Sequence, residues 1–187
     1  MERTTSIVSP PGAGWVDAAT LPFTCALERE FEAIRAEADA LRDEEYADWP
    51  EPAAMQGRWR VFPLFLGYPH PSAERVWRDA NPERCPRTLR LLRAIPGVAL
   101  AAFSRLDPGC HVYAHADFAP RGVVRCHLGL RVPPGCLLRV SGESRSWSEG
   151  RLLAFASAAE HEAVNPSATP RVVLLVDYLA EPAARAV

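Results

Sequence analysis

The chain has 187 residues, 48% of them hydrophobic, which is enough for one ordinary domain with a real core. Its net charge of -2, from 21 basic and 23 acidic residues, gives no general reason to expect nucleic acid or an anionic membrane as a partner. The cysteines form no CxxC pair and are odd in number, which disfavours a disulfide framework and indicates a reduced, cytoplasmic compartment. The first twenty residues contain no basic segment followed by an apolar run, and no stretch of the chain approaches ~18 uninterrupted apolar residues. Neither secretion nor membrane spanning is therefore expected.

The first half of the chain is predicted to be an arm followed by helices. Residues Met1 to Leu21 are rich in turn and breaker residues and predict a loose N-terminal arm. From Phe23 to about Glu45, apolar residues recur at helical spacing with charged residues between them, which is typical of an amphipathic helix. Ser72 to Ala80 and Pro86 to Ala94 are predicted to be two shorter helices. Residues 22–97 are therefore predicted to form a helical flank.

The second half is predicted to be β-structure. A short aromatic run, Trp59 to Leu66, precedes it, and Pro63 within this run indicates an edge strand. Further on, short strands separated by turns at spacings near ~8–12 residues predict a mainly β, jelly-roll (cupin-like) core at residues 98–180. Without a repeat or linker to divide the chain, residues 1–187 are predicted to be a single domain. The predicted core strands are Val98 to Leu106, Val112 to His115, Val123 to Val132, Leu137 to Val140, Arg151 to Ala156, His161 to Val164 and Arg171 to Tyr178.

Histidines and arginines concentrate in these predicted strands. Imidazoles are the commonest transition-metal ligands, and two of them on distant strands would suit iron or another divalent ion that also binds a reactant. In one strand the period of two places Arg125, His127 and Gly129 on one face and apolar residues on the other. A single histidine is more often an ordinary polar residue of a strand, but the clustering of His115, His127 and His161 favours a site.

Two further features leave alternatives open. The string His115-Ala-Asp117 has the spacing of a facial triad of two histidines and one carboxylate, since alternate residues of a strand point the same way. By itself this motif is a weak signal. Arg171 opens the last apolar strand, where it either caps an edge in solvent or reaches into the barrel.

A series of short sequence pieces occurs in the order found in one known family. The pieces are Cys85-Pro-Arg-Thr88, Phe103-Ser104, Pro108-Gly109, Arg125-Cys-His127-Leu-Gly-Leu130, Trp147-Ser-Glu149-Gly150, Phe155, Glu160-His161-Glu162-Ala-Val-Asn165 and Arg171-Val-Val-Leu-Leu-Val-Asp177. Together they resemble the aspartyl/asparaginyl β-hydroxylases, a family of iron(II)- and 2-oxoglutarate-dependent oxygenases. The combination is far more specific than any one piece.

The resemblance implies a double-stranded β-helix fold, iron(II) as the metal, and 2-oxoglutarate and O2 as cosubstrates. The implied reaction hydroxylates an unactivated carbon while 2-oxoglutarate becomes succinate and carbon dioxide. The implied substrate is an aspartyl, asparaginyl or similar residue, either free, in a peptide or tethered to a carrier. The implied site residues are His115 and His161 for iron, Ser104 and Arg171 for the distal carboxylate of 2-oxoglutarate, and Arg125 and His127 near its metal-chelating end.

The chain departs from the family pattern at one position. Family members commonly have glycine two residues after the first iron histidine and no carboxylate ligand, whereas this chain has Asp117, in a loop that is one residue longer. Asp117 is then a third ligand, a substrate contact or a solvent-exposed loop residue. Because the motif is weak, we expect that Asp117 is not an iron ligand.

An alternative from a different functional class is a non-catalytic jelly-roll protein that binds a carboxylate ligand in the same place. The presence of both histidines and both arginines favours the hydroxylase, since a binding protein has no physical need for all four. Succinate release would separate the two hypotheses. The oligomeric state does not follow from the sequence.

Overall fold

The structure is a computed structural model that describes residues 14–67, 71–77, 81–117 and 122–179. Its core is a sandwich of two antiparallel sheets, with helices on the outer face of the larger sheet. Apolar residues of both sheets meet in one cluster between them, which includes Leu138 and Val140 from the smaller sheet and Phe155 and Val173 from the larger. The prediction of a mainly β jelly roll is confirmed.

The two sheets are built from strands that pair antiparallel throughout. Within the described residues the strands are β1 (Trp15–Val16), β2 (Ala47–Asp48), β3 (Met55–Gln56), β4 (Trp59–Leu66), β5 (Val98–Leu106), β6 (His111–His115), β7 (Val123–Arg131), β8 (Leu137–Val140), β9 (Glu143–Arg145), β10 (Leu152–Ala156), β11 (His161–Val164) and β12 (Arg171–Leu179). The larger sheet has the order β1-β10-β7-β12-β5-β4-β2, and the smaller has the order β3-β6-β11-β8-β9.

Short helices cover the outer face of the larger sheet, where Leu27, Ile34 and Leu92 are fully buried. No helix in the described ranges is long and apolar enough to cross a bilayer. The α-helices of these ranges are α1 (Thr24–Arg29), α2 (Phe31–Asp39), α3 (Pro71–Trp77) and α4 (Pro86–Arg93).

The helix expected from Phe23 to Glu45 is wrong in its extent. It is interrupted at Glu30 and ends at Asp39, and residues 43–45 form a 3-10 turn. The backbone N–H of Arg42 donates to the Glu45 carboxylate at 2.9 Å, a local bond that competes with continued helix. The periodic pattern therefore continued past the point where the backbone stops being helical.

The expected arm and helical flank also need correction. Residues 1–13 of the arm lie outside the described residues, but Trp15 and Val16 form β1 and pair with β10. The flank also contains β4, whose limits match the strand predicted at Trp59 to Leu66, and this buried apolar run pairs with β5 in the larger sheet. The prediction of an edge strand holds only locally. The two-residue β2 pairs with the outer side of β4, so β4 is not the outermost strand of the sheet. At Pro63, however, no described strand pairs with that side.

The larger sheet positions the site through strict alternation along β7. Cys126 and Leu128 face the helices, whereas Arg125 and His127 face the smaller sheet, as the sequence predicted. Gly129 lies on that same inner face, where an added Cβ would come 2.4 Å from the Ser148 carbonyl oxygen. The close backbone approach at Gly129 thus requires glycine.

Candidate functional site

The space between the two sheets contains a small cavity of about 30 Å³ whose wall has both polar and apolar residues. All six residues that the resemblance assigned to iron or cosubstrate lie on its wall. They are Ser104, His115, Arg125, His127, His161 and Arg171.

His115 and His161 lie directly opposite each other in the pairing of β6 with β11, with ring centroids 4.4 Å apart. Nδ1 of His115 is 2.7 Å from the Tyr113 carbonyl oxygen, and Nδ1 of His161 is 2.8 Å from that of Ala159. Because a carbonyl oxygen only accepts, each Nδ1 carries the proton and each Nε2 presents a lone pair. Two imidazoles in this tautomer are prepared to bind a metal ion.

Burial keeps the second imidazole neutral. The pKa of His161 is lowered to about 4, mainly because burial disfavours the charged form, with Asp117 opposing that shift. Its Nε2 is therefore unprotonated at neutral pH and available as a ligand.

Asp117 lies beside both imidazoles rather than in solvent. Its Oδ1 is 3.7 Å from Nε2 of His115, its Oδ2 is 3.7 Å from Nε2 of His161, and its side chain is only 14% exposed. One donor atom from each of the three residues lies within 4.8 Å of the others. The structure thus brings the H-x-D motif together with the distant histidine.

Arg125 is held between two carboxylates. Asp177 lies opposite it on β12 and accepts from Nε at 2.7 Å and from Nη2 at 2.8 Å, and Asp177 is fully buried. Nη1 of Arg125 contacts Oδ2 of Asp117. The guanidinium therefore joins the central strands of the larger sheet to the carboxylate beside the imidazoles.

His127 presents a hydrogen-bond donor to the cavity. Its Nδ1 accepts from the indole Nε1 of Trp147 at 3.3 Å, so the proton lies on Nε2, which is buried and has no hydrogen-bond partner among the described residues. The pKa of His127 is held well below its usual range, first by burial and then by Arg171 and Arg125. A neutral imidazole with an unused N–H is suited to an oxygen acceptor on a ligand.

Arg171 is a buried cation without a carboxylate partner in the described part of the chain. It is 1% exposed, its guanidinium lies 4.6 Å from the centroid of the Trp147 ring, and Nη1 donates to the Ser104 carbonyl oxygen at 3.4 Å. Burial lowers its pKa to about 10, so it stays charged at neutral pH. Of the two alternatives left by the sequence, Arg171 reaches into the barrel and does not cap an edge in solvent.

Ser104 lies beside Arg171 on the neighbouring strand β5. Its hydroxyl oxygen accepts from the indole Nε1 of Trp59 at 3.0 Å, which leaves the hydroxyl hydrogen to donate elsewhere. Ser104 and Arg171 together offer a neutral and a charged donor at one end of the cavity.

Three residues that support the site had no predicted role. Trp147 orients His127 and stacks on Arg171, Asp177 holds Arg125, and Trp59 binds Ser104. Trp147 and Asp177 were among the pieces that carried the family resemblance, and this was the only signal for them in the sequence. Their partners lie on other strands, so sequence spacing did not reveal the contacts.

The donor set fits a divalent metal and an anionic ligand. Imidazole nitrogens with a carboxylate nearby suit iron(II) or a similar ion with open positions. A buried arginine with an adjacent hydroxyl suits a carboxylate, because a guanidinium binds it through two charge-assisted hydrogen bonds.

The relatives that match this chain are named as a hydroxylase or as hydroxylase-domain proteins. The chain is 36% identical over 174 residues to an ornithine lipid ester-linked acyl 2-hydroxylase of Rhizobium tropici. This match covers 87% of this chain and 59% of that protein. It is 33% identical over 167 residues to aspartate beta-hydroxylase domain-containing protein 2 of Rattus norvegicus, covering 81% of this chain and 46% of the relative. The chain thus spans roughly half the length of these relatives.

A solved structure of a Pseudomonas putida prolyl-4-hydroxylase has the same fold, with a TM-score of 0.51 at 19% identity over 91% of this chain and 94% of that one. The family described as aspartyl/asparaginyl beta-hydroxylase matches residues 28–181. The chain therefore belongs to the aspartyl/asparaginyl β-hydroxylase family of enzymes.

Proposed function

We propose that this chain is an iron(II)- and 2-oxoglutarate-dependent hydroxylase. The observation that carries the proposal is the charged, fully buried guanidinium of Arg171, which has no carboxylate partner among the described residues and shares its cavity with the imidazoles of His115 and His161. Burying an unpaired charge is costly, so such a group indicates an anionic ligand in the functional state. A dicarboxylate that also chelates a metal satisfies both ends of the cavity.

His115 and His161 would hold iron through their Nε2 atoms, since their Nδ1 atoms already donate to backbone carbonyls. When bound, iron(II) with 2-oxoglutarate and O2 supplies the oxidising chemistry, in which a substrate C–H becomes C–OH while 2-oxoglutarate becomes succinate and carbon dioxide. The protein contributes ligands, orientation and a cavity with limited access to water.

Three residues would orient 2-oxoglutarate. Arg171 would bind the distal carboxylate through its fork of N–H groups, and the hydroxyl of Ser104 would donate to the same group. The unused Nε2–H of His127 would donate to an oxygen nearer the metal. Arg125 lines the same cavity, but two carboxylates already bind its guanidinium, so we assign it an orienting role.

The substrate proposed from the family is an aspartyl, asparaginyl or similar amino acid, free, in a peptide or on a carrier. The apolar side chains beside the site favour another candidate. A second, small cavity of about 20 Å³ adjoins the first at Trp59 and Arg125, and its walls are mainly apolar, including Trp49 and Trp77. Apolar walls are compatible with an acyl chain, and the relative from Rhizobium tropici is named as an acyl hydroxylase. We propose a small-molecule, peptide or acyl substrate and no nucleic-acid partner.

We propose a cytoplasmic location because the cysteines are free thiols. All five lie in described parts of the chain, and all are free thiols. Burial raises the pKa of Cys85 to about 12 and of Cys110 to about 11, so these two thiols are unreactive at neutral pH.

Metal-dependent binding of 2-oxoglutarate tests the proposal. Calorimetry under nitrogen should show 2-oxoglutarate binding to the iron(II)-loaded protein and much weaker binding without metal, because one end of the ligand chelates the ion. Equal binding in both states would contradict the proposal. An aspartyl peptide and a fatty-acyl amino acid added in parallel would then show which substrate increases turnover.

A further inference from the structure

A cleft of about 510 Å³ lies on the helix side of the larger sheet, where the end of α2 meets the ends of β5, β7 and β12. Its wall includes Asp39, Tyr46, Arg105, Arg131 and Glu149, and none of these residues lines the cavity between the two sheets. We propose that this cleft binds a small α-amino acid in its zwitterionic form, as a site separate from the proposed metal site. The inference rests on the cleft alone and not on the proposed function.

Tyr46 contributes a hydroxyl group without an acceptor. The residue is 8% exposed, and its hydroxyl makes no hydrogen bond to any residue that the structure describes. Burial raises the pKa of Tyr46, Arg105 opposes this shift, and Asp39 is among the groups that add to it. The hydroxyl therefore stays protonated and lies near two charged groups of the cleft. An unused donor on a buried side chain is costly, so it indicates that an acceptor enters the cleft.

Two arginines place further unused donors in the cleft. Arg131 donates from Nε to Oδ1 of Asp39 at 2.6 Å, but its Nη1 and Nη2 make no hydrogen bond within the described ranges. The guanidinium carbon of Arg105 lies 5.6 Å from the centroid of the Tyr46 ring. Its Nε donates to Asp107 at 2.8 Å, and its Nη1 makes no hydrogen bond within those ranges either. Two guanidinium groups and a hydroxyl with spare donors are suited to a carboxylate.

One acceptor in the cleft is also unused. Glu149 accepts with both oxygens, from the backbone N–H of Val132 at 3.1 Å and from Nη1 of Arg35 at 3.3 Å. Asp39, in contrast, uses only Oδ1, and its Oδ2 accepts from no group in the described part of the chain. The side chain of Asp39 is 33% exposed, so Oδ2 can accept from an ammonium group that enters the cleft.

Charge and the apolar part of the wall select the class of ligand. The two arginines of the cleft balance Asp39 and Glu149, so the formal charge of its wall sums to zero. A zwitterion adds no net charge, whereas phosphate would add an unbalanced negative charge. Leu41, Val132 and Val172 form an apolar part of the wall, which suits an apolar side chain. A carboxylate, an ammonium group and an apolar side chain on one small molecule together describe an α-amino acid.

The test measures binding of L-leucine to the full chain by calorimetry. Isocaproate, isopentylamine and inorganic phosphate are titrated beside it, since they lack the ammonium group, the carboxylate and any apolar part, respectively. Leucine is expected to bind more tightly than the other three probes. Equal or tighter binding of phosphate would show an anion site only and would overturn the inference, as would the absence of leucine binding.

Tyr46→Phe and Arg131→Gln should each raise the dissociation constant of leucine about tenfold, because each removes a hydrogen bond to a charged group. Tyr113→Phe and Arg151→Gln are the matched controls, since Tyr113 is exposed on β6 and Arg151 pairs with Glu28. Both controls should bind leucine as the wild type does. A dissociation constant within about threefold of the wild type in either cleft variant would overturn the inference.

Two further measurements separate ligand binding from a structural effect and from the other cavity. Without leucine, Tyr46→Phe should unfold at the same temperature as the wild type or at a higher one, because its hydroxyl has no partner to lose. A lower unfolding temperature would show that the hydroxyl stabilises the fold and would contradict the inference. Arg171→Ala should bind leucine with wild-type affinity, whereas a loss there would place leucine in the cavity of His115 and His161 and would also overturn the inference.

Discussion

The guanidinium of Arg171 stacks on the indole ring of Trp147, 4.6 Å from its centroid, and the same indole donates its N–H to Nδ1 of His127 at 3.3 Å. One buried tryptophan therefore orients two of the three groups proposed to hold 2-oxoglutarate. It fixes the position of the cation by stacking and the tautomer of the imidazole by a hydrogen bond.

Trp147→Phe separates these two effects. The phenyl ring still supports Arg171, but His127 loses the donor that keeps its proton on Nε2, so the 2-oxoglutarate dissociation constant should rise about fivefold, which corresponds to about 1 kcal/mol for one hydrogen bond. Trp15→Phe is the control, since the Trp15 indole donates to the exposed Glu143 carbonyl. Equal affinities in the two variants would show that the Trp147 N–H has no part in binding.

Arg171→Ala should raise the 2-oxoglutarate dissociation constant by a factor of about 30 or more, because a desolvated charge pair contributes roughly 2–5 kcal/mol. The measurement is calorimetry on the iron(II)-loaded protein. Arg131→Ala provides the control, since Arg131 is exposed and its Nε bonds Asp39 at 2.6 Å away from the cavity. An unchanged constant in Arg171→Ala would remove this residue from the cosubstrate site.

His115→Ala and His161→Ala should each abolish iron(II) binding and turnover while the fold is retained. Circular dichroism checks the fold, and calorimetry measures the metal. His111→Ala is the control on the same strand, where the imidazole faces Glu162 at 3.6 Å. Wild-type iron affinity in His161→Ala would refute the proposed metal site.

The stability of the metal-free protein should fall as the pH drops below about 6.5, the usual pKa of histidine in an unfolded chain. Burial holds the pKa of His161 near 4, so between these values the unfolded chain binds more protons than the folded one. Across that window, each such histidine lowers the free energy of unfolding by about 1.4 kcal/mol for every pH unit of acidification. Above the window its contribution to stability is fully retained.

Urea unfolding at pH 8 and pH 5 measures this loss. His161→Gln should show a smaller decrease between the two pH values than the wild type, and His111→Gln is the matched substitution outside the cavity. The same decrease in His161→Gln as in the wild type would show that the buried imidazole does not titrate as described.

Much of the fold could be predicted from the sequence, because strand alternation and turn residues are local signals. The strand limits Val98–Leu106, Leu137–Val140 and His161–Val164 match the expected ones. The two-residue strands β1, β2 and β3 were missed, since only a partner strand defines so short an element. The predicted extent of the long helix was wrong for a related reason. The Glu45 carboxylate accepts from the backbone N–H of Arg42 and favours a turn there, and the periodicity of apolar residues does not reveal such a bond.

The candidate site was predictable where one strand carried the pattern and not where contacts joined several strands. Alternation along β7 placed Arg125 and His127 on the inner face, and the resemblance supplied the remaining residues of the cavity. The carboxylate that binds Arg125, however, lies 52 positions away on β12, and only the sheet register shows that the two residues are opposed. Asp117 illustrates the same limit, because its spacing alone was compatible with both a site and a loop.

Succinate formation tests the central claim most directly. Protein loaded with iron(II) under nitrogen is mixed with 2-oxoglutarate and a candidate substrate, then exposed to air, and succinate is quantified against a metal-free sample and Arg171→Ala. The account predicts succinate from the iron-loaded wild type in amounts that match the hydroxylated product, and almost none from the two controls. Binding of 2-oxoglutarate without any succinate above the metal-free level would contradict it and favour a carboxylate-binding jelly-roll protein.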